Sequence, residues 1–314
     1  MPLNLAAIEA AAGRIAGRIR RTPTVRVDLA REPLGVPDVW LKLECLQVTG
    51  SFKARGATNR LLTLDPAQLA RGVVAASGGN HGLATARAGA MAGVPARIFL
   101  PANASPAKIA KLRTWGAEVE VVGQVWDEAH RAASRAASES GAFYFHPFAD
   151  EEVMAGQGTV ALELLDDIGS ADVFIIAVGG GGLISGMATA LRALRPGIRI
   201  VGVEPEGAPT LERSLAAGGV VTLPAVTTKV ATMACGRTDA MVFDIVRDKV
   251  DEIVLVSDDD LERAARWLWF EMGIAADLSG AASLAALMSG AVRVSPGARV
   301  AGLVCGAGPD GIPV

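Results

Sequence analysis

Through the first half of the chain, short apolar runs alternate with stretches of helical period, joined by only a few residues. Residues 39–43 read as a strand, followed by a helical segment to about Leu64. Residues 72–76 form a second strand, and the next helix runs to about Ala92, where Gly93-Val94-Pro95 stops it. Residues 96–100, 118–122 and 143–145 read as further strands, with helices over 105–115 and 125–139 between them. This alternation narrows the fold more than any other feature. Strands joined through helices pair in parallel, and a parallel sheet needs cover on both faces. Residues 45–145 are expected to form a small domain of their own.

A second set follows, with helices over 151–167, 183–194, 261–272 and 279–288 and strands over 172–178, 199–203, 252–256 and 299–304. Residues 216–239 show no clear period and read as loop. Residues 1–44 and 146–314 together are expected to form the large domain. The predicted class is α/β, with two intertwined domains, each an open, mostly parallel sheet flanked by helices.

Composition closes off other classes. Of 314 residues, 51% are hydrophobic and 20% charged, which suits a packed core and excludes disorder. A net charge of −3 offers no field for nucleic acid or an anionic membrane. Cys45, Cys235 and Cys305 fit no zinc spacing and suggest a reducing, cytoplasmic compartment, and His81, His130 and His146 form no metal pattern. Residues 1–20 read as an amphipathic helix, not a signal peptide. The long uncharged run over 173–191 has four glycines at its centre, so it reads as strand, loop and helix start, not a membrane span.

The chemistry-bearing residues sit where strands give way to loops, the edge at which open α/β sheets bind ligands. In Thr49-Gly50-Ser51-Phe52-Lys53-Ala54-Arg55-Gly56-Ala57, Ser51 is expected to cap a helix and Lys53 to lie near its positive end. That position disfavours the ammonium form, and a neutral amine is what imine chemistry on a carbonyl cofactor needs. A surface lysine on an amphipathic helix is the plainer alternative. Gly179, Gly180, Gly181 and Gly182 follow an apolar strand and precede a helix, so their N–H groups can converge on a phosphate. A tight turn is the competing explanation. The dinucleotide and P-loop patterns both fail here, which leaves a small phosphate-bearing cofactor.

Ser77-Gly78-Gly79-Asn80-His81-Gly82 is a second glycine-rich turn into a helix, able to hold a carboxylate on its N–H groups, with the Asn80 amide within reach of a ring or carbonyl oxygen. His81 reads more readily as a structural hydrogen-bond partner than as a base. Cys305 can pair with a neutral ring nitrogen, or be a small buried hydrophobe at a strand end.

These motifs resemble the fold type II pyridoxal-phosphate enzymes (tryptophan synthase β-like), in particular the serine/threonine dehydratases and the related serine racemases. The resemblance rests on the Lys53 and Asn80 stretches together with Ala155-Gly156-Gln157-Gly158-Thr159, Gly179-Gly180-Gly181-Gly182-Leu183, Val203-Glu204-Pro205-Glu206-Gly207-Ala208 and Cys305-Gly306-Ala307. They occur in the family's order over nearly the whole chain. The resemblance implies that Lys53 holds pyridoxal 5'-phosphate as a Schiff base and then acts as the base at Cα. Phe52 would pack beside the ring, Asn80 would bond the ring oxygen, and Gly179–182 with Leu183 would cradle the phosphate. Cys305 would face the ring nitrogen, and the loop of Ser77, Gly78, Gly79, Asn80 and His81 would bind the substrate carboxylate. The implied reaction converts a hydroxy amino acid, L-threonine or L-serine, to a 2-oxo acid and ammonia, in a cytoplasmic homodimer.

Four departures from the family pattern qualify this. Gly78 stands where racemases carry a serine, which disfavours two-base racemisation. Asp277-Leu278-Ser279-Gly280-Ala281 replaces a glutamate-proline sequence, which keeps 3-hydroxyaspartate open as a substrate. Thr210 stands where metal-binding members carry a second carboxylate after the one matching Glu204, so no metal residue and no obligatory divalent cation are expected. Residues 227–239 are unlike the family and are expected to shape the substrate end of the pocket. With the chain ending at Val314, no C-terminal regulatory domain and no feedback by isoleucine are expected. A non-catalytic binder of the cofactor or of amino acids, and a nucleotide-binding α/β protein, are the remaining classes. The yellow colour of a Schiff base separates the first of them from the second.

Overall fold

The computed structural model describes residues 2–102, 104, 106–124 and 126–312. Helix α1 (Leu5–Ile15) buries Ile8, Ala11 and Ile15 on one face and leads into the antiparallel pair β1 (Thr24–Val27) and β2 (Asp38–Lys42). Then come α2 (Lys53–Leu62) and a one-turn α3 (Pro66–Leu69). Strands β3 (Val73–Ala76), β4 (Ala96–Leu100), β5 (Glu118–Val121) and β6 (Phe143–Tyr144) alternate with α4 (Asn80–Ala92), α5 (Pro106–Thr114) and α6 (Trp126–Ser140). They form a parallel sheet in the order β5-β4-β3-β6. Every residue of β3 is buried, as two covered faces require.

The rest of the chain builds around β2. Helix α7 (Glu151–Ile168) precedes β7 (Val173–Ala177), α8 (Gly182–Leu194), β8 (Arg199–Pro205), α9 (Thr210–Ala217) and α10 (Ala240–Lys249). Strand β9 (Glu252–Val256), α11 (Asp258–Met272), α12 (Ala282–Met288) and β10 (Arg299–Leu303) complete it. The second sheet has the order β1-β2-β10-β7-β8-β9 and is parallel except at β1. Its central strand β7 is buried at all five positions. The expected α/β class with two mostly parallel sheets flanked by helices is therefore what forms.

Most strands and helices lie within a residue or two of their expected bounds, while the expected helix starts at Met1, Ser105 and Val125 lie outside the described residues. Strand β1, the one-turn α3 and helices α9 and α10 are additions. Helix α9 has a nonlocal origin: no side chain within it caps its start. Its first N–H groups instead donate to Glu204 on β8, Leu211 N at 2.8 Å and Glu212 N at 3.0 Å.

The Ala155–Thr159 motif turns out to be a helix-crossing device. α7 packs against α2 on one side and α8 on the other. A Cβ on Gly156 would lie 2.6 Å from the Cα of Gly56, so only two glycines allow the backbones this close. Beside the crossing, Arg55 is fully buried between Glu44 (2.7 Å) and Glu163 (2.7 Å), and Lys42 lies 3.0 Å from both Glu163 and Asp167. This network ties the segment after β2, the lysine helix and α7 into one block.

Candidate active site

The lysine segment is fastened to the carboxyl end of β10. Phe52 N donates to Cys305 O at 3.2 Å, Ala307 N donates to Gly50 O at 2.8 Å, and Ser51 bridges to Gly306. Ser51 is therefore extended and does not cap α2; Phe52 occupies the cap position, and no side chain closes the helix start. The expected N-cap is wrong because the strand-like bridge claims Ser51 first. Lys53 still opens the helix, with its amine 5.1 Å from the centre of the Phe52 ring.

The Lys53 amine is part-buried and donates to Pro147 O at 2.7 Å. Among the described residues no carboxylate contributes to its titration. Burial alone lowers its pKa to about 8, so desolvation, and not the helix dipole, brings the neutral amine within reach near neutral pH.

Gly179–182 leave β7 and enter α8, whose cap residue Gly181 carries no side chain to bond the first-turn N–H groups. The ring of Phe148 covers this loop: a Cβ on Gly180 would sit 2.1 Å from it, so a side chain at position 180 would displace the ring. Thr238 Oγ1 donates to Gly180 O at 3.1 Å, and the backbone of Thr232 and Met233 lies against Gly179. Residues 227–239 thus wall the glycine loop. The buried hydroxyl of Ser185, in the first turn of α8, has no hydrogen-bond partner.

Asn80 begins α4 and reaches across to the large sheet, its Nδ2 3.0 Å from Asp277 Oδ2. The other Asp277 oxygen accepts from Ser279 Oγ and Gly280 N, both at 2.7 Å, and Ser279 Oγ lies 3.6 Å from Cys305 Sγ. The shorter carboxylate at 277 accordingly keeps a complete network. Burial pushes the Asp277 pKa up against these hydrogen bonds, and burial also pushes the Cys305 thiol well above its usual range, so it stays neutral. Ser77, Gly78 and Gly79 line the turn before α4 half-buried, with Gly79 N donating to Ser77 Oγ at 3.3 Å. The His81 imidazole is turned away. Its Nε2 is bonded to Phe145 O at 2.9 Å and burial lowers its pKa to about 3, so it is a neutral structural group with only its backbone left for the loop.

Reading the sequence pointed to neither Pro147 nor Phe148, and it marked Thr238 and Ser279 only as members of the 227–239 and 277–281 stretches. The first two carried a signal: Phe143, Tyr144, Phe145 and Phe148 crowd into six positions of a chain only 4% aromatic. The individual roles of the other two were not legible, since Thr238 acts on Gly180 58 positions away and Ser279 links Asp277 to Cys305 26 positions away.

Residues 15–306 match the family described as pyridoxal-phosphate dependent enzyme, and the chain belongs to that family. It is 40% identical over 282 residues to an L-threonine ammonia-lyase of Geobacter sulfurreducens, covering 90% of this chain and 70% of that protein. It is 37% identical over 308 residues to a phenylserine dehydratase of Ralstonia pickettii, covering 98% and 94%. Among solved structures, maize serine racemase superposes with a TM-score of 0.92 at 33% identity, covering 98% of this chain and 94% of that one. The residues present fit the cofactor: an amine without an acidic partner, a glycine cradle that no Cβ could share, an uncapped helix start and an orphan hydroxyl beside it.

Proposed function

With membership of that family as the premise, we propose that the chain removes water from a small β-hydroxy amino acid, L-threonine or L-serine foremost, releasing a 2-oxo acid and ammonia. The observation that carries this is the Lys53 amine, desolvated, free of carboxylate partners and tied through Phe52 to Cys305. Bound pyridoxal phosphate supplies an electron sink for negative charge at Cα. Lys53 would hold it and, once freed, take the proton from Cα through Nζ. The N–H groups of Gly179–182 and Leu183, at the start of α8, would bind the phosphate. Asn80, with one amide hydrogen on Asp277, has a second for the ring oxygen, and Phe52 packs alongside. Cys305, a neutral thiol, gives the ring nitrogen no proton, which favours prompt loss of the β-hydroxyl. The Ser77 to His81 turn would receive the substrate carboxylate.

The test is 2-oxobutanoate release from L-threonine by the cofactor-loaded protein. Steady release, lost at least about a thousandfold in Lys53→Ala, supports the proposal; a yellow protein without product overturns the substrate and leaves the cofactor. The likeness to a phenylserine dehydratase over nearly its whole length favours a second substrate class, β-hydroxy amino acids with an aromatic side chain, and the same assay with 3-phenylserine decides it.

Both Glu204 oxygens are committed to α9, which supports independence from divalent cations. Exhaustive dialysis against chelator is expected to leave the rate unchanged, and rescue by Mg²⁺ would refute this. The two sheets and their separate apolar clusters support a small domain at 45–145 beside a large one at 1–44 and 146–314. Structures with and without an amino-acid ligand would show whether β3–β6 move as a body. A cytoplasmic homodimer completes the proposal. Three free thiols and the lack, among the described residues, of any helix long and apolar enough to cross a membrane accord with that compartment; sedimentation tests the dimer.

A further inference from the structure

Between β6 and α7 the chain makes a turn over residues 146–149 that touches both halves of the candidate site. Pro147 O accepts from the Lys53 amine at 2.7 Å. The Phe148 ring lies on the glycine loop: a Cβ on Gly180 would meet the ring at 2.1 Å, and one on Gly182 would meet the Phe148 backbone at 2.8 Å. Asp150, next in sequence, caps α7 through Glu152 N and Val153 N, and α7 crosses α2 one turn beyond Lys53. A small shift of this turn would therefore move the acceptor of the amine and the cover of the cradle together.

One side chain closes the turn. His146 Nδ1 accepts from Ala149 N at 2.7 Å and from Phe148 N at 3.3 Å. Two backbone N–H groups aimed at one ring nitrogen require that nitrogen to be unprotonated, which places the proton of the neutral ring on Nε2. The ring also packs edge-on against Phe148, with centroids 4.6 Å apart, so it fixes the orientation of the aromatic cover as well as its backbone. Burial lowers the His146 pKa to about 4, which keeps the acceptor lone pair available throughout the neutral range.

We propose that His146 is a positioning residue for the cofactor. Its Nδ1 locks the 146–149 turn, and the turn in its place sets both the Pro147 carbonyl against Lys53 and the Phe148 ring against the glycine cradle. It acts on groups that touch the cofactor and touches none of the reacting atoms. This rests on the reading of Lys53 and the glycine loop as the pyridoxal-phosphate site.

The experiment compares the dissociation constant for pyridoxal phosphate, by equilibrium dialysis of the holoenzyme, across three variants. His146→Leu removes the acceptor, His146→Asn returns an oxygen at nearly the same place as Nδ1, and His146→Gln puts it one methylene too far. The expected result is about a tenfold weaker constant for Leu and Gln, with Asn within about twofold of the parent. The pH at which the near-visible band of the holoenzyme titrates is expected to move in the Leu and Gln variants and to return with Asn, because that titration senses the surroundings of the Lys53 nitrogen. If His146→Leu does not fold, the contrast between Asn and Gln carries the test alone. Equal constants for Asn and Gln, or an unchanged constant in Leu, overturn the role of His146 while the site stands. A parent that binds no pyridoxal phosphate overturns the site and this inference with it.

Discussion

Lys53 and Arg55 stand two residues apart on one helix, and their surroundings make them opposites. Among the described residues the Lys53 amine makes one hydrogen bond, to a backbone carbonyl, and burial lowers its pKa to about 8. The Arg55 guanidinium is more deeply buried, and burial pulls its pKa down too, but Glu44 and Glu163 more than offset this and hold it above its usual value. Burial without a counter-charge makes a side chain reactive; burial with one makes it an anchor. The helix carries both because the anchor fixes the position of the reactive group.

Breaking the anchor is expected to have the largest effect on stability. Arg55→Met leaves the fully buried Glu44 carboxylate without a cation and Glu163 with Lys42 alone, and a loss of about 3–5 kcal/mol is expected in urea unfolding. Lys53→Met should cost nothing of that kind, and a comparable loss there would erase the contrast.

A second effect separates the two by pH. The folded pKa of Lys53 lies below its unfolded value, so the unfolded chain binds the proton more readily between about pH 8 and the ordinary lysine range near 10.4. With the cofactor removed, this group adds stability as pH rises through that window. The part-exposed side chain limits the gain to no more than about 3 kcal/mol. The difference in unfolding free energy between the parent and Lys53→Met should grow accordingly from pH 7.5 to 10; a flat difference would place the amine in ordinary solvation.

The smallest effect on stability probes the cradle that the reactive lysine serves. Gly182→Ala drives a Cβ to 2.8 Å from the Phe148 backbone within the cofactor-free chain itself, so it is expected to cost about 1–3 kcal/mol in unfolding and, because the turn must move off the cradle to relieve the contact, a larger loss in pyridoxal-phosphate affinity. Equal losses in both measurements would mean that the loop is a packing element and not a cradle.

Much of this was legible before folding was considered. The alternation of apolar runs and helical periods placed most strands and helices to within a residue or two, though not β1, α3, α9 or α10, because burial of a face imposes its period locally. The glycine runs and Lys53 stood out for the same reason: backbone approach to an anion and imine chemistry each demand particular residue types at one place in the chain. Ser51 misled, because a serine before a helix is an ordinary cap signal and nothing local reveals its bridge to Gly306.

Which distant residues meet was the part that needed three dimensions. Asn80 finds Asp277 across 197 positions, and Cys305 reaches Phe52 only because β10 lies next to β2 in the large sheet. Residue type and period are properties of a short window of chain. Strand order, the desolvation that lowers the lysine pKa and the turn at His146 arise only when the two sheets close on one another.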